Sequence, residues 1–169
     1  MLKSLQKKRD QGFTIIEVMI VLAIAGLILV VVLIAIPQLQ RNQRNSARQQ
    51  ILSRISTELS SYAGNNSGAF PAAATADTAG NFGGNASTDT NSFVGKYIKG
   101  TNVNDPSTGS PVTFSVGSPA TAPAQGEVKY VLSAECGTDG SINSLTGQNR
   151  KFALAMGLEG NRAYCLDNK

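Results

Sequence analysis

Histidine is absent from this 169-residue sequence. Its absence removes the commonest general base and the commonest metal ligand. There is also no G-x-S-x-G nucleophile elbow, no Walker sequence and no clustering of carboxylates on a recognisable helix. Gly95-Lys96 lacks the upstream glycine of a phosphate loop. The expectation is a protein with no enzymatic activity, no cofactor and no metal. Asp105-Pro106-Ser107 and Asp139-Gly140-Ser141 read as turns rather than as pieces of a calcium site.

A lasting excess of charge is missing too. The formal net charge is +4, but Lys3, Lys7, Lys8, Arg9 and Asp10 all precede Phe13. Without residues 1–12, the 15 basic and 11 acidic residues fall to 11 and 10. From Gly64 onward there are seven basic and eight acidic residues, so nothing in the composition favours a basic nucleic-acid surface. Cysteine is limited to Cys136 and Cys165. Downstream of an export anchor an even pair reads as a disulfide, with two separately buried thiols as the alternative. Closing a loop of about 30 residues stabilises a fold by roughly 3–4 kcal/mol in the chain-entropy picture.

What the sequence does have is one long apolar run. Residues 13–36 number 24, and Thr14 and Glu17 are the only polar side chains among them. At about 1.5 Å per residue this covers the ~30 Å hydrocarbon core of a bilayer. The run exceeds the roughly 7–15 apolar residues of a secretory signal, and Pro37-Gln38-Leu39-Gln40 after it offers no small-residue cleavage site. A plain membrane anchor explains the length and the basic leader but not Glu17, because a charge within a bilayer costs roughly 2.5–3.5 kcal/mol at the centre. A carboxylate near the headgroups, or one kept protonated, is the bland account of Glu17. Arg41, Arg44 and Arg48 flank the far side, so the positive-inside rule is divided.

The junction Gly12-Phe13-Thr14-Ile15-Ile16-Glu17, continuing Val18-Met19-Ile20-Val21-Leu22-Ala23-Ile24-Ala25-Gly26, resembles the N-terminus of a type IV prepilin. That resemblance, closest to a type IVa-like major pilin, implies cleavage after Gly12 by a prepilin peptidase and N-methylation of the new terminus at Phe13. It implies that Glu17, with Thr14 beside it, sets the register of subunits in a filament. Partners would be copies of the chain, the peptidase, and an assembly platform with motor ATPases. The protein would begin as a single-pass prepilin in the cytoplasmic membrane, N-terminus inside, and end in an extracellular filament serving adhesion, twitching motility or DNA uptake. In that family a glycine such as Gly26 and a proline bracket a segment that can lose helicity. Here Pro37 comes three residues later than usual, and a kink near Leu33 is expected. Many such pilins carry one disulfide near the C-terminus.

The rest of the chain reads as an α+β head in the type IV pilin fold. The helix continues over 38–63, where no Gly or Pro occurs between Gln38 and Tyr62. Leu52, Ile55, Leu59 and Tyr62 form its apolar stripe, and Arg41, Arg44, Arg48 and Arg54 decorate the polar remainder. Residues 64–92 are Gly-, Ala-, Asn- and Ser-rich and read as a surface loop between helix and sheet. Asn65-Asn66-Ser67 and Asn85-Ala86-Ser87 fit the N-x-S glycosylation pattern, which chance alone produces in so biased a segment. Strand-like runs at 93–99, 112–116, 128–132, 152–156 and 163–166 predict an antiparallel sheet of about four strands. The expected domains are therefore a leader (1–12), a helix (13–63; 13–36 transmembrane, 38–63 amphipathic) and a head (64–169). Within the head, 64–92 is the loop, 93–135 the sheet and 136–165 the disulfide-tied region. Two other readings share this outline: a type II secretion pseudopilin, and a minor pilin that captures DNA. The major pseudopilin usually has a calcium-bound loop and no such disulfide.

Overall fold

The computed structural model describes residues 12–101, 103–117 and 122–168. Residues 1–11 of the leader, with all its charges, lie outside the described residues. The chain divides into two compact units, with the boundary between Gln40 and Arg41.

Helix α1 spans Ile15–Asn65, with Gly26 and Pro37 both inside it. In the first unit every described residue is exposed. The cause is the all-round apolar pattern, since side chains on every face cannot all turn toward one core. In the second unit the stripe is one-sided. Leu52, Ile55 and Leu59 are fully buried, and Ala63 nearly so. Each such Leu or Ile removed from water stabilises the head by roughly 1.5–3 kcal/mol.

These side chains meet a four-stranded sheet made of β1 (Thr113–Val116), β2 (Glu127–Leu132), β5 (Phe152–Leu158) and β6 (Arg162–Asp167). The spatial order is β1-β2-β5-β6. The pairs β2–β5 and β5–β6 are antiparallel, whereas β1 lies parallel to β2, so the sheet is mixed. A short hairpin, β3 (Ala134–Cys136) with β4 (Ile142–Ser144), adds a second small sheet.

Strand β5 is buried at all seven positions because both its faces are covered. Phe152, Leu154 and Met156 join the helix-side core, while Ala153 and Ala155 pack with Val131, Ala134 and Ile142 on the other face. The outer face uses small residues because the chain passes so close to it. At Gly157 an added Cβ would sit 2.1 Å from the Ala124 carbonyl oxygen. Gln125, just before β2, bridges to Gly157 in parallel sense.

Two expectations are corrected here. Residues 93–99 do not form a strand: Val94–Ile98 is a π-helical turn followed by a 3₁₀ turn, Lys99–Thr101. Phe93, Val94, Tyr97 and Ile98 recur at helical spacing and point their apolar side chains to one core. The loop at 64–92 is also less superficial than its composition implies. Phe82 is fully buried, stacked on Tyr130 at 4.2 Å between ring centroids, and Phe70 packs edge-on against Phe152. The Tyr130 hydroxyl donates to the Pro71 carbonyl (2.8 Å), and burial pushes its pKa up. The loop closes on its own carboxylates. Asp77 accepts the backbone N–H groups of Thr90, Asn91 and Ser92, and these hold its pKa well below the usual range.

Candidate functional site

The first turn of α1 carries the motif residues. Gly12, Phe13 and Thr14 precede the helix, and Glu17 is its first acidic residue. Glu17 Oε2 accepts from the Thr14 backbone N–H (2.9 Å) and from the Thr14 hydroxyl (2.8 Å). In return, Thr14 Oγ1 accepts the Glu17 N–H at 3.3 Å. This is a reciprocal capping box, in which a Thr and a Glu three residues later satisfy amides that a helix start leaves orphaned. The negative side chain also lies where the helix dipole favours it. The T-x-x-E spacing of Thr14 and Glu17 is the sequence signal for this cap.

Among the described residues no contact accounts for Gly12 or Gly26. A Cβ added at Gly12 or at Gly26 would meet nothing within 4 Å. Phe13 is 90% exposed. Gly12, Phe13, Thr14 and Glu17 stand together by sequence adjacency, while Gly26 and Pro37 follow further along the same helix.

Cys136 and Cys165 form a disulfide with Cα atoms 5.8 Å apart. It ties the β3–β4 hairpin to β6 beside the small-residue face of the sheet. The Cys136 N–H donates to Asp167 Oδ2 (2.9 Å), a second link between the same elements.

The arginines after the apolar run were expected on the polar face of the helix, and for Arg48 this is overturned. Arg48 is fully buried. Its Nε and Nη2 grip Asp105 at 2.7 and 3.0 Å, and Nη2 also reaches Ser107 Oγ. Its Nη1 donates to Asn45 Oδ1 and, at 3.4 Å, to Glu159. Arg44 holds Glu159 through Nε and Nη2, and the Glu159 N–H returns to Asn45 Oδ1. Burial opposes ionisation of Asp105, but the Arg48 and Ser107 hydrogen bonds outweigh it and lower its pKa to about 2. The Arg44 hydrogen bond holds Glu159 low as well. Arg48, Leu52, Ile55 and Leu59 lie on one helical stripe, and that was the missed signal. Asp105 thus belongs to an ion pair. Asp139 Oδ1 accepts the Ser141 N–H, which makes Asp139-Gly140-Ser141 the expected turn.

The family model for the prokaryotic N-terminal methylation motif matches residues 7–33. Neither a curated protein nor a solved structure matches the chain. Residues 7–33 therefore carry a prepilin-type N-terminus, of the kind that supports a type IV pilin-like or pseudopilin-like protein. The helix-on-sheet head with its C-terminal disulfide fits the type IV pilin fold.

Proposed function

We propose that this chain is a structural subunit of a type IV pilus filament, cleaved after Gly12, N-methylated on Phe13 and polymerised through residues 13–36. The observation that carries the reading is the apolar stretch 13–36, exposed on every side, with Glu17 as its one carboxylate in the first turn of α1 and within a methylation-motif segment. Such a surface needs lipid before assembly and other helices after it. Moving between the two gains little hydrophobic energy, so packing and charge pairing dominate. Thr14 engages Oε2 of Glu17, and a neighbouring subunit's Phe13 ammonium takes the remaining valence of the carboxylate. Each charge left alone in that apolar core is costly, so a subunit out of register is disfavoured. Gly26 and Pro37 are the points where the helix bends or loosens to fit the filament.

The proposed order is leader 1–12, membrane and assembly segment 13–36, amphipathic segment 38–63 and exported head 64–169. The partners are other copies, a prepilin peptidase, and the platform with its motor ATPases. Adhesion, twitching or DNA uptake is the output. The runner-up is a pseudopilin; the Cys136–Cys165 bond and the engagement of Asp105 by Arg48 weigh against the major pseudopilin among these.

Glu17→Ala, expressed in place of the native gene, tests the reading by electron microscopy of sheared cell-surface filaments. The expected outcome is loss of filaments while the head keeps its melting temperature and disulfide. Normal filament numbers with Glu17→Ala would overturn the proposed role.

A further inference from the structure

The two N-x-S sequences are chemically unlike once folded. At Asn65-Asn66-Ser67 the chain is the end of α1. The Asn66 and Gly68 N–H groups both donate to the Ala63 carbonyl, Asn66 Nδ2 is bound to the Tyr62 carbonyl, and Ser67 takes a left-handed φ of 57°. The backbone is wound into a helix terminus and the sequon is not presented as a turn of its own.

Asn85-Ala86-Ser87 is different. Asn85 and Ser87 are exposed, while Ala86 between them is buried in the core. Asn85 Oδ1 accepts the Ser87 N–H at 2.8 Å, closing an Asx turn across the acceptor tripeptide. The Asn85 N–H is held by Asp89 Oδ2, and its backbone bridges to Thr113 at the start of β1. The carboxamide oxygen is thus engaged by its own tripeptide, while the Asn85 residue as a whole is exposed. The buried alanine and the β1 bridge keep this geometry from wandering.

We propose that Asn85 is an N-glycosylation site and that Asn65 is not. The donor class is a sugar linked through diphosphate to a polyprenyl lipid, used by a membrane transferase on the exported side. Nδ2 of Asn85 forms a bond to the anomeric carbon, the bond from that carbon to the diphosphate oxygen breaks, and the lipid diphosphate leaves. One Nδ2 proton passes to a base on the transferase, and no electrons are exchanged with an oxidant or reductant. Ser87 supplies the hydroxyl that the acceptor pattern demands. The sugar has a physical consequence as well. β1 is an edge of the four-stranded sheet, and a bulky solvated group at the Asn85–Thr113 bridge hinders edge-to-edge pairing with another sheet.

The site needs the head to be exported, as in the proposed function, and one digest separates the two questions. Chymotryptic peptides of the full chain, purified from its own cells, place Asn85 on residues 83–93 and Asn65 elsewhere. The expected result is a sugar mass on residues 83–93, localised to Asn85 by electron-transfer fragmentation. It should disappear in Asn85→Gln and Ser87→Ala and persist in Asn65→Gln. Ser87→Ala is the decisive variant, because the Asx turn uses the Ser87 backbone N–H and survives the change. An unmodified Asn85 in chains whose N-terminal peptide begins at Phe13 would overturn the site without touching export. A sugar on Asn65, or one that persists in Asn85→Gln, would overturn it too.

Discussion

Along residues 15–40 of α1 every side chain is exposed and nearly all are apolar, whereas residues 41–65 bury Leu52, Ile55 and Leu59 together with a charged Arg48. The contrast runs against the usual rule that apolar groups go inside and charges outside. In the first half the carboxylate is satisfied by its neighbour Thr14, and the apolar side chains are exposed at every described position. In the second half the chain supplies everything: core partners for the aliphatic stripe, and Asp105, Ser107, Asn45 and Glu159 for the guanidinium. The second half finds its partners within the head, and on the proposed function the first half finds its partners in lipid or in other copies. Damage to the second half should therefore be read in the stability of the head, and damage to the first in assembly.

The largest expected effect on the head comes from Arg48. Arg48→Ala leaves Asp105 buried without its guanidinium and should cost roughly 3–5 kcal/mol in denaturant unfolding of the detergent-solubilised chain. The double variant Arg48→Met/Asp105→Leu removes both charges and should recover more than half of that loss. No recovery would mean that shape, not charge pairing, is what this position contributes.

A smaller effect is expected on the opposite face of the sheet. Gly157→Ala places a methyl against the Ala124 carbonyl, and overpacking of this kind costs about 1–3 kcal/mol. The shift should appear in the denaturation midpoint with filament register unaffected. An unchanged midpoint would show that the segment carrying Ala124 gives way freely.

The smallest effect is a pH dependence. Asp105 has a folded pKa of about 2, below its ordinary value of 3.8. Its contribution is present in full above about pH 4 and is lost as pH falls through 2. Asp77 and Glu159 are lowered as well and act with the same sign. Melting temperatures recorded from pH 6 to pH 2 should begin to decline at about pH 5, where the unfolded chain starts to protonate Glu159 (ordinary value 4.5), and fall further below about pH 4 with Asp77 and Asp105 (3.8). In Arg48→Met/Asp105→Leu the decline should be shallower, the remainder belonging to Asp77 and Glu159. An equal slope in both proteins would remove Asp105 from the explanation.

Local pattern carried much of this fold. The runs at 128–132 and 152–156 fall within β2 and β5, because alternating or β-branched residues between Gly and Asn breaks leave little choice. The stripe of Leu52, Ile55 and Leu59 located the buried face of α1. Pattern failed where tertiary placement decides. Val94-Gly95-Lys96-Tyr97-Ile98 is short enough to pass for a strand, but its apolar residues serve one face of a helical turn. β3 and β4 have three residues each, too few to show a period. The parallel pairing of β1 with β2, and the close approach of Ala124 to Gly157, have no local signal in the sequence. Arg48 was hidden by its chemistry: an arginine on an apolar stripe invites placement in solvent until a carboxylate 57 residues away is found beside it.

The motif residues were legible because they are contiguous, and the claim they carry is processing at Gly12-Phe13. The direct test is the mass of the N-terminal peptide of the protein purified from its own membranes. The account predicts a terminus at Phe13 bearing one N-methyl group. An intact Met1 terminus in cells with an active prepilin peptidase would contradict it and leave a membrane-anchored head with no route to a filament.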